Sequence, residues 1–443
     1  YFGKTYQVIH SSYIEKNESG TDVVYAVGSD LSNRNFDNLN LQNAVFDKAD
    51  LSNTSFNNAN IEGARFVFAN LSNSNLLDRT DLSNINLAGT DLSKATLKGK
   101  DLSGTNLTYV DLSEHDLTGT NLSGVNLSHA KLSKETLKGK DLSGANLAYV
   151  DLSEHDLTGT NLSDTFLFRT NLSGLDLRFL TLSNADFRYA ILSESKLSDS
   201  QIVNNNFDHA ILENINFAGK DLSGSSFIQV NLEGSDMQNT NLSHTNFIQV
   251  DFTKIKNKSL AGADLSETSF AYSNLSGVSL AGTTLNTTNF LHAELPGMDF
   301  TITDVITDGM TLTYTNLSNS NFEGLNLSAK QMYSKVFQNK ASFVNLSDKD
   351  LITNLFGEQN TLFIVSKQAN GNDLLVNFIF INAFHAANLE NANFKNAELW
   401  HADFSLANLA NADLSGADLS NVNLDGANLD GANLKCKNHL ICD

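Results

Sequence analysis

An apolar residue returns every five positions through most of this chain. The first series runs from Leu31 to Leu76, and each of its centres is Leu, Ile or Phe. A one-residue slip at residues 77–80 resets the frame, which then keeps its five-residue step from Leu82 to Phe252. A strand alternates with a period of 2 and an amphipathic helix with a period of 3.6, so the pattern fits neither. It predicts a body built from one short repeated unit.

The bulky centres indicate how many pentapeptides form one turn of the chain. Phenylalanine recurs every twenty residues at Phe187, Phe207, Phe227 and Phe247. Four pentapeptides per coil would stack these rings in one column, where offset aromatic contacts add to the burial of apolar area. A near-duplicate segment, in which Lys-Gly-Lys-Asp follows a leucine, recurs forty residues later and then equals two coils.

The residues around each centre also follow a pattern: a small residue two positions before, Asp or Asn one before, and often Ser then Gly or Asn after. The run Ala407-Asn-Leu-Ala-Asn-Ala-Asp-Leu-Ser-Gly-Ala-Asp-Leu shows it almost unmixed. This motif resembles the signature of the pentapeptide-repeat family, and the resemblance covers residues 29–356 and 387–434. It implies an all-β fold, a right-handed quadrilateral β-solenoid whose centres and small residues point inward. No coil can bury its own apolar edge, so stacked neighbours supply the stability.

Breaks in the repeat predict five segments. Residues 29–327 form the main solenoid, and residues 387–435 form a second repeat segment. Residues 328–386 are an irregular joint between them, residues 436–443 are a C-terminal tail, and residues 1–28 precede the repeat.

Residues 1–28 contain two strand-like stretches, residues 5–9 and 22–27, separated by a turn-forming sequence. We expect this segment to cap the solenoid, and the alternative is that it donates a strand to another copy. Its candidate interface residues are Tyr6, Val8, Val23 and Tyr25.

The joint contains the strongest hairpin signal in the chain. Apolar stretches at residues 361–365 and 374–381 flank the turn dipeptide Asn370-Gly371. A hairpin this apolar is not stable alone in water, so it either folds back onto the solenoid or is buried against a partner. Its candidate contact residues are Phe363, Val365, Phe378 and Phe380.

Three extra residues break the frame between Phe252 and Leu260 and bring in Lys254, Lys256 and Lys258. We expect a solvated bulge. The alternative is a basic loop that docks onto an acidic face of another copy.

The chain is strongly acidic, with 29 Lys and Arg against 50 Asp and Glu and a formal charge of -21. This balance argues against attraction to nucleic acid or to anionic membranes. No apolar run approaches the roughly 20 residues of a spanning helix, so we expect no membrane insertion. Some members of the family mimic duplex DNA and bind topoisomerases, and the resemblance implies that role as an alternative for an acidic chain.

We predict a non-enzymatic protein without a cofactor or metal. The sequence has no phosphate loop, nucleophile elbow or Cys/His cluster. His115 and His155 fall in one column, but the two coils between them correspond to about 10 Å, too far to share an ion. These histidines, and the lysines of another column (Lys100, Lys140 and Lys220), are expected to point outward and to pair with neighbouring Asp.

Cys436 and Cys442 are the only cysteines, and they flank His439 at the C-terminal end. A disulfide between them is expected in an oxidising compartment, and two free thiols are the alternative. The chain starts at Tyr1, which we interpret as a processed N-terminus. Both features predict an extracellular or cell-surface location, with a cytoplasmic one as the alternative if Tyr1 only reflects trimming.

Asn-x-Ser/Thr acceptors recur through the repeats before residue 346 and are absent from the last repeat block. We hypothesise that the central repeats are glycosylated and that residues 387–435 are kept bare for contact between subunits. The candidate acceptors are Asn70, Asn106, Asn121, Asn126, Asn161, Asn171, Asn241, Asn274, Asn316, Asn326 and Asn345.

The sequence therefore favours an exported structural scaffold that assembles with itself, end to end into fibres. The alternatives are the DNA-mimicking role and a secreted effector that binds another protein.

Overall fold

Backbone hydrogen bonds join each coil to the next with a twenty-residue period. In the computed structural model, parallel bridges pair Asp101 with Asn121 and Asn126 with Asn146. The same spacing pairs Asp221 with Asn241. Ladders of this kind set neighbouring coils about 4.8 Å apart. The predicted all-β solenoid with four pentapeptides per coil is confirmed.

The structure describes residues 13–16, 22–134, 136–197, 202–302, 312, 315–322, 330–337, 361–367, 374–380 and 384–442. They belong to two compact units, Tyr1–Ile211 (unit 1) and Leu212–Asp443 (unit 2). Each unit is a β-solenoid with its own core. Within the described part of the chain, no helix has the length and apolar character that crossing a membrane requires.

Each position of the pentapeptide has a structural reason. The centre points inward, and Leu102 and Leu107 are fully buried. The Asp or Asn before the centre accepts a hydrogen bond from the backbone N–H two residues later, as Asp101 does from Ser103 at 3.0 Å. The residue two after the centre turns the corner in the left-handed region, where Asn and Gly are favoured, as at Gly104 (φ 65°).

The small residue two before the centre also points inward, and many of these residues are Thr or Ser. Thr105 donates its hydroxyl to the carbonyl of Leu82 at 2.6 Å, and Thr120 donates to Leu97 at 2.9 Å. These carbonyls belong to the centres of the preceding coil. Each buried hydroxyl is therefore paired inside the core, where an unsatisfied polar group is costly.

The expectation that the column lysines point outward was wrong. Lys100 and Lys220 are buried at 7% and 6% exposure. The Lys100 ammonium donates to the carbonyl of Arg79 at 2.6 Å, and Lys140 donates to Leu117, the kind of carbonyl that Thr satisfies elsewhere. Burial lowers the pKa of the Lys100 and Lys140 ammonium groups. The long side chain reaches a backbone acceptor inside the coil, so no surface Asp is needed.

The predicted stacking of phenylalanines is present in both units. In unit 1, Phe187 and Phe207 stack with ring centroids 4.9 Å apart. In unit 2, Phe227 and Phe247 lie 4.7 Å apart, and Phe247 stacks on Phe270 at 5.6 Å across the three-residue insertion. The frame shift therefore leaves the column intact.

Short 3₁₀ turns absorb the frame shifts. One spans Asn75–Asp78 and buries both Leu76 and Leu77, which accounts for the one-residue slip. Two adjacent turns, Phe252–Lys254 and Lys256–Lys258, absorb the three extra residues, and Ile255 between them is buried. A fourth turn spans Phe300–Ile302.

Two short strands precede the first coil. Strand β1 (Tyr13–Lys16) pairs antiparallel with strand β2 (Asp22–Tyr25). Tyr25 then forms a parallel bridge with Val45 of the first coil, so β2 leads directly into the ladder. The prediction of a strand near residue 22 agrees with β2, β1 was not predicted, and the predicted strand at residues 5–9 lies outside the described residues.

A small sheet lies within the irregular joint. It contains β3 (Lys330–Phe337), β4 (Thr361–Lys367) and β5 (Leu374–Phe380) in the order β3-β5-β4, all antiparallel. Strands β4 and β5 form the predicted hairpin, with Phe363 opposite Phe378. Strand β3 was not predicted, because its sequence, KQMYSKVF, does not alternate between apolar and polar residues.

The ladder continues across this joint within unit 2. Asn316 bridges Asn388 and Asn321 bridges Asn393, although 72 residues separate each pair. Phe322 stacks on Phe394 with centroids 4.7 Å apart. The second repeat segment, residues 387–435, therefore stacks directly on the coil that contains Phe322.

Deleting residues 328–379 is expected to leave unit 2 folded, because the joined chain places Phe384 two pentapeptides after Phe322 and keeps the frame. The free energy of unfolding should change by less than about 1 kcal/mol, since closing a shorter loop changes the entropy little. Circular dichroism and urea unfolding would measure this. The control deletion, residues 329–379, shifts the frame by one residue and should be strongly destabilised. Equal loss in both variants would contradict a ladder that is independent of the insertion.

Acid is expected to destabilise the solenoid through its Asp columns. Backbone N–H donors lower the pKa of Asp101 and Asp141. The folded pKa lies below that of the unfolded chain, so between the two the unfolded chain binds more protons. This stabilisation is complete above about pH 4 and is lost as the pH falls through the folded values.

Urea unfolding of bacterially produced protein from pH 6 to pH 2.5 would measure this dependence. The matched variants Asp101→Asn and Asp141→Asn keep the acceptor oxygen but do not titrate, so their profile should fall less steeply. Stability that stays flat or rises on acidification would contradict the prediction.

Candidate interaction surfaces

A disulfide joins Cys436 and Cys442, whose Cα atoms are 4.9 Å apart. Cys436 is buried, and Lys437 bridges Asp418 of the preceding coil. The disulfide loop is thereby attached to the ladder.

The glycosylation candidates fall into two groups by what the amide nitrogen does. Asn70 and Asn121 donate Nδ2 to the carboxylate twenty residues earlier, at 3.0 and 3.1 Å. Asn161, Asn241 and Asn316 make the same kind of bond to Asp141, Asp221 and Glu294. At Asn106, Asn126 and Asn274, the side-chain oxygen Oδ1 accepts a bond from the backbone N–H two residues later, and at Asn106 it also accepts one from the Thr108 hydroxyl.

Three glycosylation candidates belong to neither group. Asn171 accepts a hydrogen bond from Ser173 and contacts Asp151. Asn326 and Asn345 lie outside the described residues.

The asparagines of the last repeat block form an amide ladder of their own. Asn408 donates to Asn388 at 3.1 Å, and Asn428 donates to Asn408 at 3.0 Å. These side chains therefore have a structural role between coils.

The lysine bulge is tightly integrated into unit 2. All three lysines are exposed, and Lys256 forms an ion pair with Asp236 at 2.9 Å. The carbonyls of Lys254 and Lys258 accept bonds from neighbouring coils. Such an exposed pair contributes little stability, so the lysine charges are available at the surface of an acidic chain.

The predicted N-terminal interface is largely internal. Val23 is 4% exposed and Tyr25 is half-buried beside its own first coil. Tyr6 and Val8 lie outside the described residues. In the joint, Phe363 and Phe378 are register partners, and Val365 and Phe380 each lie two residues further along their strands, so all four positions belong to one face of the sheet.

The one-residue slip opens a polar cleft of about 390 Å³ lined by Asn57, Asn75, Asp78 and Arg79. The Arg79 guanidinium donates to the carbonyls of Phe56 and Ala59 at 3.2 and 3.0 Å. Arg79 therefore supplies hydrogen-bond donors to two backbone carbonyls of the preceding coil beside the slip.

The column histidines are half-buried. Burial lowers the pKa of His155, which favours its neutral form. Among the residues that the structure describes, no three His, Cys, Asp or Glu side chains come together as a metal site.

One corner of unit 1 carries exposed rings that the sequence analysis did not single out. Tyr109 stacks on His129 with centroids 4.7 Å apart, and His129 stacks on Tyr149 at 4.4 Å. Tyr189 stacks on His209 at 4.5 Å. The Arg169 guanidinium lies between these groups, 5.9 Å from the Tyr149 ring and 5.3 Å from the Tyr189 ring. We call Tyr109, His129, Tyr149, Arg169, Tyr189 and His209 the aromatic corner.

The aromatic corner is a single backbone column. Each residue from Tyr109 to Tyr189 donates its N–H to the next coil, as His129 does to Ala148 at 3.0 Å. Phe68 lies in the same column two coils before Tyr109, and its ring lies over Gly89, where an added Cβ would meet it at 2.1 Å. A side chain at position 89 would therefore have to displace the Phe68 ring.

Bulky side chains are unfavourable at the corner position of the pentapeptide. All six residues have positive φ, between 55° and 63°. A non-glycine residue in this region costs about 1 kcal/mol, and bulky residues are the least common there. In the same coils, one other corner holds Gly99, Gly119, Gly139 and Gly159, and another holds Gly104, Gly124, Gly144, Asp164 and Asn184.

The aromatic corner is open to solvent. Tyr109, Tyr149 and Tyr189 are 60%, 45% and 40% exposed. Because the rings stack face to face, they present their edges, hydroxyls and ring nitrogens outward. Tyr and Arg are enriched where proteins bind one another. A signal for this corner exists in the sequence, since Tyr or His recurs every twenty residues two positions after a centre.

The model for pentapeptide repeats matches this chain over residues 27–164, 167–253, 259–301 and 387–435. The chain therefore belongs to the pentapeptide-repeat family, and the right-handed quadrilateral solenoid is the fold of that family. A search of curated proteins finds no match.

Solved structures of the same class are similar only at low identity. HetL from the cyanobacterium Nostoc, a pentapeptide-repeat protein involved in heterocyst differentiation regulation, is 19% identical; the match covers 93% of this chain and 88% of HetL, with a TM-score of 0.15. Full-length QnrB1, a plasmid-mediated fluoroquinolone resistance protein, is 17% identical over 52% of this chain and 85% of its own, with a TM-score of 0.20. Scores this low carry no argument about function.

If the central repeats carry N-glycans, occupancy should be highest at Asn106, Asn126 and Asn274. At Asn70, Asn121 and Asn161 a glycan would replace the hydrogen bond from Nδ2 to the preceding coil. Mass spectrometry of native glycopeptides would measure each site. Equal occupancy in the two groups would contradict this reading, and unmodified asparagine throughout would remove the glycosylation hypothesis.

Proposed function

We propose that this protein is a non-enzymatic structural scaffold, exported to the cell surface or the extracellular space. In this proposal, its copies assemble end to end into fibres through the segments outside the regular coils, which are residues 1–28, 328–386 and 436–443.

The observation that carries the scaffold role is the ladder that the described residues form within each unit. Coil follows coil with the same hydrogen bonds, and unit 2 keeps them even where Asn316 meets Asn388 across the joint. Such a body derives its stability from neighbour stacking and presents long, regular faces. These are the properties that a passive support or binding platform requires.

The disulfide supports export. Disulfides persist in oxidising compartments and are rare in the cytosol of most organisms. The Cys436–Cys442 bond closes a short loop that contains Lys437, and Lys437 bridges Asp418 of the ladder.

The sheet of the joint supports assembly with other copies. In the order β3-β5-β4, both β3 and β4 pair with β5 on one side only among the described strands. An unpaired strand edge is a template for a strand of another chain. The predicted contact positions Phe363, Val365, Phe378 and Phe380 belong to one face of this sheet.

The charge of -21 favours a second candidate function, the acidic mimicry of DNA that the family resemblance implies. The columns of Asp that line both units place part of this charge on regular faces. A topoisomerase would be the partner in that case.

Sedimentation velocity over a wide concentration range, with negative-stain electron microscopy of native material, would test the proposal. We expect oligomers that grow with concentration and appear as filaments, and we expect the deletion of residues 328–379 to shorten or abolish them. A chain that stays monomeric at every concentration, and that inhibits supercoiling by DNA gyrase, would replace the scaffold with the DNA-mimicking function.

A further inference from the structure

We propose that the aromatic corner of unit 1 is a lateral contact surface for a second copy of this chain. This inference deepens the assembly proposed above and rests on it, because it adds a side-by-side contact to an end-to-end one.

The solenoid itself does not require these rings. Asn and Gly occupy the equivalent position at other corners and turn the chain equally well, as at Asn184 and Gly144. The aromatic corner keeps Tyr, His and Arg in the left-handed region over six successive coils. Repeated use of an unfavourable conformation at an exposed site indicates a role outside the fold.

Charge favours self-contact at this corner over the next corner along the coil. The chain carries -21, so two copies repel each other over most of their surface. The column from Lys48 through Phe68 and Gly89 to His209 contains no Asp or Glu. The next corner along the coil holds Glu114, Lys134, Glu154 and Glu194. Two copies therefore approach with less repulsion along the aromatic corner than along that acidic corner.

Spacing distinguishes a second copy from an extended peptide. Rings of the corner recur once per coil, about every 4.8 Å, whereas side chains on one face of a strand recur about every 6.8 Å. A peptide lying along the corner would lose register within a few coils. A second solenoid has the same repeat, so a ring of one copy that meets a ring edge of the other leaves the next pair aligned as well.

The stacking also determines the kind of contact. Tyr109, His129 and Tyr149 cover one another's faces, so a partner meets ring edges and polar tips. Edges of one copy can pack against rings of the other in the T-shaped arrangement that aromatic pairs favour. Tyr hydroxyls and His nitrogens supply hydrogen bonds across the contact.

The contact should be weak for one pair of copies. From Tyr109 to His209 the corner spans five coil steps, or about 24 Å. A strip of this length and one residue's width falls below the roughly 1,200 Å² of a stable interface. Lateral association therefore becomes strong only when fibres align many copies.

The test is a triple variant of the full chain, Tyr109→Asn with Tyr149→Asn and Tyr189→Asn. Asparagine suits the left-handed corner, so circular dichroism and thermal unfolding should show a fold at least as stable as the native one. Sedimentation velocity should show lateral association weakened at least about tenfold. Electron microscopy should show single filaments where the native chain forms bundles. The control is Phe179→Gly, which removes a ring that is 75% exposed at another corner and should leave bundling unchanged.

The outcomes separate this inference from the proposed function. Triple-variant filaments that bundle like native ones would overturn the lateral contact and leave the scaffold proposal standing. Loss of filament length on deletion of residues 328–379, with side-by-side pairs retained, would support two independent contacts. Equal loss of bundling in the triple variant and the Phe179→Gly control would overturn the assignment to this corner. A monomeric native chain would overturn both proposals.

Discussion

The backbone ladder between coils is the constraint on which the rest of this protein depends. Each coil bonds only to its neighbours, so the chain must return to the same column after every turn. The structure meets this condition with one extra residue at the turn Asn75–Asp78, three at the lysine bulge, and a whole sheet inserted before Phe384. The ladder therefore constrains the column to which an insertion returns the chain more than it constrains the residues of the insertion.

The ladder also explains the polar content of the core. Buried polar side chains need partners inside the coil, and Thr105 has one because it donates its hydroxyl to the carbonyl of Leu82. Lys140 does the same with its ammonium, although burial lowers its pKa. A column can therefore hold apolar residues such as Ala145 as well as polar ones such as Thr105, provided that a polar side chain reaches a backbone carbonyl.

The ladder constrains some surface positions of the pentapeptide much more than others. The Asp and Asn before each centre are committed to turns and to amide ladders, which is why asparagine such as Asn408 is structural. The corner residue is constrained only in its backbone. Tyr109 and His129 show that this position accepts large rings, and their exposure on one corner gives an otherwise regular body a distinguishable side.

The sequence by itself determined the repeat, the coil of four pentapeptides, the stacked phenylalanines and the hairpin, because each depends on a periodic or local pattern. It did not determine that Lys100 points inward, because the carbonyl that it reaches belongs to another coil. Strand β3 and the stacking of Asn388 on Asn316 likewise depend on partners distant in sequence. Only the tertiary structure brought Tyr109, His129 and Tyr149 into one stack. Residues twenty positions apart come into contact because successive coils lie one strand spacing apart.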